Sequence, residues 1–168
     1  MRSLISIDEL KSATIINKNV DDKYLLTAIE TAQTIKLQQL IGTKLLNRLI
    51  DCVGDNGTWL GNADEFTLVT EYIQPYLKRE VVSDIIVPLN YKVRNEGILQ
   101  ANQENIYLPT RADAMFVKEH YENEASFFAT RLTNYIKQNI DKFPLYSDCD
   151  NEIKANSQAK NTVIYLGK

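Results

Sequence analysis

The chain has 168 residues, of which 44% are hydrophobic and 24% charged, a composition typical of one globular domain and not of a disordered chain. Its net charge of −3 argues against a dedicated DNA-binding module, which carries a basic surface. No apolar run approaches the ~18 residues that a membrane helix needs, and no secretory signal pattern opens the sequence. We therefore expect neither a membrane span nor a secretory leader.

The first third of the chain predicts three helices. Residues 6–12 begin with the pattern Ser-x-x-Glu, which favours a short capped helix. Residues 22–41 have apolar side chains at three- and four-residue spacing, which predicts a longer amphipathic helix. Gly42 suits the end of that helix, because glycine tolerates a left-handed backbone. Thr43 is then expected to cap a third helix over residues 44–53.

A turn and a loop should follow the third helix. Residues 54–57 read Gly-Asp-Asn-Gly, which is a dense turn signal. The only tryptophan, Trp59, lies on the loop, and we expect it to cover the core rather than to contact a partner. Asn62, with Glu65 three residues later, predicts the capping box of a fourth helix.

The fourth helix contains two prolines. Pro75 should either kink the helix or begin a new one, since proline is tolerated in a first helical turn. Residues 76–87 are apolar on more than one side, so we expect them to form the central buried helix. Pro88 should end or bend that helix, with residues 89–94 adding one turn. Residues 97–109 then predict either a small hairpin or an ordered loop that binds a partner.

The fifth and longest helix is predicted to begin after Thr110, with Asp113 at its third position, and to end between residues 139 and 144 before a proline. One face of this helix is apolar or aromatic for about six turns. The residues of this face are Ala114, Val117, Tyr121, Ala125, Phe128, Leu132, Tyr135 and Ile136.

The sequence changes character after the fifth helix. Residues 147–161 are polar and aperiodic, as in a flexible arm, and residues 162–167 are β-prone. The terminal strand either adds to a sheet on another chain or folds back on its own domain, or it takes no part in binding. We thus predict an all-α fold: a compact bundle of about five helices over residues 1–146, with one small hairpin or ordered loop (97–109). An extended C-terminal arm (147–168) ending in a short β-strand completes the chain.

Two groups of residues are the candidate protein-interaction sites. The C-terminal strand contributes Thr162, Val163, Ile164, Tyr165 and Leu166. The candidate loop contributes Ile98, Gln100, Ile106 and Tyr107.

Nothing in the sequence indicates catalysis. It lacks a phosphate-binding Gly-Lys-Ser/Thr loop and a nucleophile elbow. The single histidine, His120, has no second histidine nearby, and Glu119, Glu122 and Glu124 lack the spacing of a carboxylate metal site. Cys52 and Cys149 are expected to be free thiols, since neither belongs to a C-x-x-C pair. We therefore expect a protein that is not an enzyme and needs no cofactor or metal.

Four stretches together resemble a family of small neck proteins from tailed phages of Bacteroidetes, the crAss-like group among them. They read DDKYLLTAIETAQTIKLQQLIGTKLLNRL (21–49), EYIQPYLKREVVSDIIVPLNYKVRNEGI (71–98), EHYENEASFFATRLTNYI (119–136) and IYLG (164–167). The layout is also similar to that of the wider head–tail connector, or adaptor, family. The resemblance covers nearly the whole chain, although its motifs are packing patterns rather than catalytic signatures.

The resemblance implies a structural virion protein. Such a subunit forms a ring of about twelve copies that docks on the portal, contacts neighbouring neck or tail proteins and extends the DNA channel. DNA would pass through the lumen without specific binding, and the C-terminal arm would reach the portal or a neighbour. The protein would lie at the head–tail junction of the virion, and in the host cytoplasm during assembly. The alternative is a small, non-enzymatic helical adaptor that binds a phage or host protein through its 97–109 loop.

Overall fold

The computed structural model describes residues 2–94, 97–100 and 110–147, with the backbone alone for residues 90–94 and 97–100. Five helices follow one another in these ranges, as the sequence predicts. Their bounds are α1 Ile7–Ala13; α2, an α-helix Asp22–Thr31 that continues as a π-helix Ala32–Leu37 and again as an α-helix Gln38–Ile41; α3 Thr43–Asp51; α4, formed by Ala63–Thr67, the π-helix Leu68–Ile73 and Gln74–Asn90; and α5 Arg111–Gln138. Short 3₁₀ turns follow at Ile140–Lys142 and Pro144–Tyr146.

The predicted helix starts at α4 and α5 are confirmed by their caps. The Asn62 side chain accepts a hydrogen bond from the Glu65 N–H, and the Glu65 carboxylate accepts one from the Asn62 N–H in return. Thr110 and Asp113 form the same reciprocal box at the start of α5. Each box satisfies backbone N–H groups that have no partner inside the helix.

The boundary between α2 and α3 differs from the prediction in one respect. Gly42 ends α2 with a φ of +78°, where its N–H donates to Gln38 O, so the glycine prediction is confirmed. The predicted Thr43 cap is wrong, because Thr43 is already the first residue of α3. Its hydroxyl instead accepts a hydrogen bond of 2.7 Å from the Gln38 side-chain amide.

Proline does not interrupt α4. Pro75 is the second residue of the α-helical stretch Gln74–Asn90, within the first turn that the sequence offered as one alternative. The preceding stretch is π-helical, and the Gln74 N–H donates to Val69 O, five residues back. Because proline has no N–H to donate, a wider turn just before it accommodates the missing bond. Pro88 lies inside the same helix, which continues to Asn90.

A two-stranded antiparallel hairpin follows α4 and corrects two predictions. Strand β1 is Tyr91–Arg94 and β2 is Gly97–Gln100, paired from Tyr91↔Gln100 to Arg94↔Gly97. The extra helical turn over residues 89–94 is therefore wrong beyond Asn90, and the hairpin begins upstream of the predicted 97–109, with only β2 inside that range. In β1, Tyr and Val alternate with Lys and Arg, a two-residue period that opposes helix continuation. Residues 101–109 and the arm 148–168 lie outside the described residues.

The core surrounds α4, as predicted for its apolar residues. Its buried residues Ile73, Leu77, Val81 and Ile85 pack between α2 and α5. Each fully buried aliphatic side chain contributes about 1.5–3 kcal/mol relative to an exposed one. Trp59 is half-buried against this core, which confirms the expected lid. No helix among the described residues has both the length and the apolar character needed to cross a membrane.

Candidate interaction surfaces

The structure describes only part of the predicted interaction site. Ile98 and Gln100 lie on strand β2. Ile106, Tyr107 and residues 162–166 lie outside the described residues. The β-hairpin is therefore the described part of that site, and within the described residues its sheet has two strands.

Large apolar side chains are exposed on α5. Met115, Phe116 and Val117 are 44%, 74% and 37% exposed, and Phe127 is 65% exposed. Phe116 and Phe127 are eleven residues apart, which is three turns, so they lie on one side of the helix. Neither phenylalanine was predicted from the sequence as a binding residue, because both fall outside the apolar stripe. The sequence signal that could have identified this surface was the presence of two large apolar side chains three turns apart and off that stripe.

A second exposed apolar group flanks Trp59. Leu60 is 68% and Phe66 48% exposed, at the loop before α4 and in its first turns. The Phe66 ring lies 6.0 Å from the Trp59 ring, measured between centroids. Large exposed apolar side chains that cluster are typical of binding surfaces.

An aromatic stack joins α4 to the second half of α5. The rings of Tyr72 and Tyr135 lie 4.0 Å apart and nearly parallel, and the guanidinium carbon of Arg131 lies 4.8 Å from the Tyr72 centroid. Together with Phe127, these residues line a shallow cavity of about 350 Å³. Burial raises the pKa of the Tyr135 hydroxyl. The stack therefore forms one side of the cavity that Phe127 also lines.

A charged cluster holds α2 against α4. Lys36 Nζ lies 2.5 Å from Glu80 Oε2 and 2.8 Å from Asp84 Oδ1. Burial alone would lower the pKa of Lys36, but hydrogen bonds and the charges of Asp84 and Glu80 raise it. Burial and the neighbouring Glu80 charge likewise raise the pKa of Tyr76, whose hydroxyl hydrogen-bonds Glu80. The cluster borders a cavity of about 770 Å³, and its ion pairs link α2 to α4.

A second polar anchor holds α3 against α4. Glu65, which is buried, accepts hydrogen bonds of 2.8 and 3.2 Å from the Arg48 guanidinium. Burial raises the pKa of Glu65, but the bonds from Arg48 and from the Asn62 N–H outweigh it, so the pKa is lowered. A Cβ at Gly61 would lie 2.7 Å from Glu65 Oε2 and 2.9 Å from Cys52 Sγ, which explains the glycine at this close approach.

The residues considered for chemistry are dispersed or paired. His120 is exposed, with Nε2 3.4 Å from Glu124 Oε1. Glu122 pairs with Lys118, and Glu124 also pairs with Arg79. Among residues 2–94, 97–100 and 110–147, no three His, Cys, Asp or Glu side chains gather as metal ligands would.

The structure describes one of the two cysteines. Cys52 is buried beside Glu65, and burial raises the pKa of its thiol, so it is a poor nucleophile. Cys149 lies outside the described residues.

Comparison with known proteins identifies a family but no activity. No curated protein and no solved structure matches the chain. A family model matches residues 37–156, which span the end of α2, all of α3, α4, the hairpin and α5, and the residues that follow. Since this match covers most of the chain, the protein belongs to the family of unknown function DUF6712.

Proposed function

We propose that the protein is a structural subunit of a phage head–tail connector ring, which docks on the portal and extends the DNA channel. The proposal combines the resemblance to neck proteins with the character of the surface. A helical bundle with exposed aromatic side chains is suited to permanent contacts with other subunits.

The observation that carries the proposal is the pair Phe116 and Phe127. A bundle that already buries a full core still presents both rings on one side of α5. Exposing two phenylalanines favours aggregation in a free monomer, whereas burying them against a neighbour stabilises an assembly. Leu60 and Phe66 provide a second apolar group, and a head-to-tail ring needs two different surfaces on each subunit.

The charge of the chain fits a channel wall. With a net charge of −3, a ring of about twelve copies would repel DNA phosphates, so DNA would pass through its lumen without specific binding. In this proposal the partners are the portal, neighbouring neck or tail proteins and further copies of the same chain. The protein would assemble in the host cytoplasm and remain at the head–tail junction.

The C-terminal strand is the proposed link to another chain. Deleting residues 162–168 should leave the helical circular dichroism spectrum and the melting temperature unchanged, because the described residues form a buried core of their own between Leu4 and Phe143. The truncated protein should fail to enter particles when it replaces the full chain. Replacing residues 162–166 by serine and glycine at the same length is the matched control and should fail equally. Normal incorporation of either variant would contradict the role given to this strand.

The hairpin favours a second candidate function. A small helical adaptor could bind a phage or host protein through Gly97–Gln100 and the residues that follow, without forming a ring. Native mass spectrometry of the full chain mixed with portal separates the two candidates. A multi-copy complex with portal supports the connector, and a complex of one or two copies with another protein supports the adaptor.

A further inference from the structure

The hairpin has one edge suited to accept a third strand. Within the described residues β1 and β2 pair only with each other, so no described strand pairs with the outer edge of either. The sequence of β1, Tyr-Lys-Val-Arg, contains two cations, and charged residues are the usual protection of an edge against further pairing. The sequence of β2, Gly-Ile-Leu-Gln, contains none. The edge of β2 is therefore the unprotected one.

The register identifies the backbone groups at that edge. The pair Arg94↔Gly97 closes a two-residue connection, and the closing pair of such a hairpin is a hydrogen-bonded pair. Hydrogen-bonded and non-hydrogen-bonded pairs alternate along an antiparallel ladder. Ile98 and Gln100 thus occupy non-hydrogen-bonded positions, and their backbone N–H and C=O groups are directed away from β1. An added strand would find two donors and two acceptors there.

We propose that residues 162–166 of one copy add as a third strand beside β2 of a neighbouring copy. This inference rests on the proposed function, because it names the acceptor of the C-terminal strand within the ring. The five residues Thr-Val-Ile-Tyr-Leu are β-prone and match the four-residue length of β2. Main-chain hydrogen bonds then supply affinity, and alternate side chains supply specificity.

The length of chain between the domain and the strand permits this exchange. A chain of the length of residues 148–161 can span at most roughly 50 Å, whereas a domain of this size has a radius of gyration of roughly 15 Å. The strand therefore reaches an adjacent subunit. Each copy would offer one donor strand and one acceptor edge, and such a head-to-tail contact closes when the ring closes.

Disulfide cross-linking between two different variants tests the pairing. Both full-length proteins carry Cys149→Ser; one also carries Gln100→Cys and the other Ile164→Cys. After mixing under oxidising conditions, any disulfide between positions 100 and 164 joins two copies and is identified by mass spectrometry. Placing the second cysteine at 163 or 165 instead covers the neighbouring registers. We expect a cross-linked dimer in at least one register.

Two proline variants form the matched control. Ile98→Pro removes a donor from the outer edge of β2, whereas Val93→Pro removes the corresponding donor of its cross-strand partner on β1. Proline is tolerated at edge positions whose N–H faces outward, so both hairpins keep their own ladder. Placed on the chain that carries the position-100 cysteine, Ile98→Pro should abolish the cross-link, and Val93→Pro should leave it unchanged.

The outcomes separate this inference from the proposed function. A cross-link that only Val93→Pro abolishes would overturn the choice of edge. A disulfide within one chain, when both cysteines are placed together and no mixed dimer forms, would show pairing inside a single copy and overturn the proposal. If no register cross-links in the purified protein or in particles, while deletion of 162–168 still blocks incorporation, the strand binds a different protein: the connector proposal then stands and this one fails.

Discussion

The two halves of α5 both contribute to the predicted apolar stripe but have different surroundings. From Ala125 to Ile136, Ala125, Leu132 and Ile136 are buried and Tyr135 stacks on Tyr72. In the first three turns only Ala114 is buried, and the three apolar residues that follow it are exposed. The stripe is thus covered in the second half, which holds the fold, and largely uncovered in the first half, where it adds to the exposed apolar surface. Phe127, off the stripe, is the exposed phenylalanine of the covered half.

The difference arises from what covers each half. The π-helical part of α4 and its continuation pack against α5, and Phe143, which is 1% exposed, closes the end of the second half. The first half follows residues 101–109, which lie outside the described ranges. Few described side chains pack against this half of the helix. A helix that extends beyond its own core presents apolar surface to other chains.

Removing a large side chain from the covered half should have the largest effect. Leu132 is 0% exposed, and Leu132→Ala should lower the free energy of unfolding by about 2–5 kcal/mol, because it deletes buried methyl groups and leaves a cavity. For a protein of this size each kcal/mol lowers the melting temperature by roughly 2–4 °C. Urea unfolding followed by circular dichroism measures the change.

The control for Leu132 lies on the same predicted stripe. Val117 is 37% exposed, so Val117→Ala should change the free energy of unfolding by no more than about 0.5 kcal/mol. Equal losses in the two variants would show that the first half of α5 is covered as well, and the contrast between the halves would disappear.

Loosening the start of α4 should have an intermediate effect, since α4 is the cover of the second half. In Glu65→Gln the side-chain amide oxygen still accepts the hydrogen bond from the Asn62 N–H, but the charge that pairs with Arg48 is lost. We expect a loss of roughly 0.5–1.5 kcal/mol at neutral pH, reduced because Arg48 is half exposed. Glu71→Gln, at an exposed carboxylate on the same helix, is the matched control and should be neutral.

The pH dependence of that loss has a definite sign. The pKa of Glu65 is lowered in the folded protein, so its stabilisation is present above the ordinary carboxyl pKa and is lost as the pH falls through the lowered value. The difference between wild type and Glu65→Gln should therefore shrink on acidification. A difference that is constant, or that grows in acid, would contradict the assigned role of the charge.

Sequence reasoning located the helices because their signals are local. The Asn62–Glu65 and Thr110–Asp113 boxes and the terminating Gly42 depend on a few neighbouring residues, and the structure contains all three. The buried face of α4 also follows from periodicity alone.

What the sequence could not show depends on distant contacts or on closely balanced local states. The free energy of a π-helical turn is close to that of an α-helical turn where tertiary packing favours the wider turn. The sequence alone therefore does not predict the π-helices Ala32–Leu37 and Leu68–Ile73. The alternation in Tyr91–Arg94 favours a strand, but four residues are too few to exclude one more helical turn by pattern alone, and the pairing with Gly97–Gln100 decides between them. Periodicity likewise identifies the apolar face of α5, but it does not reveal where the cover ends.

The smallest effect on stability should come from the uncovered half, with the largest consequence for assembly. Phe116 is 74% exposed, so Phe116→Ala should change the free energy of unfolding by no more than about 0.5 kcal/mol. If the phenyl group of Phe116 is buried between subunits, replacing it by alanine should weaken the association of subunits at least roughly tenfold, as at a binding hot spot. Native mass spectrometry or sedimentation of the assembled ring measures this. Glu119→Ala, one turn further along the exposed face, should assemble normally. A Phe116→Ala protein that is destabilised by several kcal/mol would show that the phenyl group of Phe116 is part of the domain's own core. Unchanged stability together with unchanged assembly would instead remove the first half of α5 from the interface.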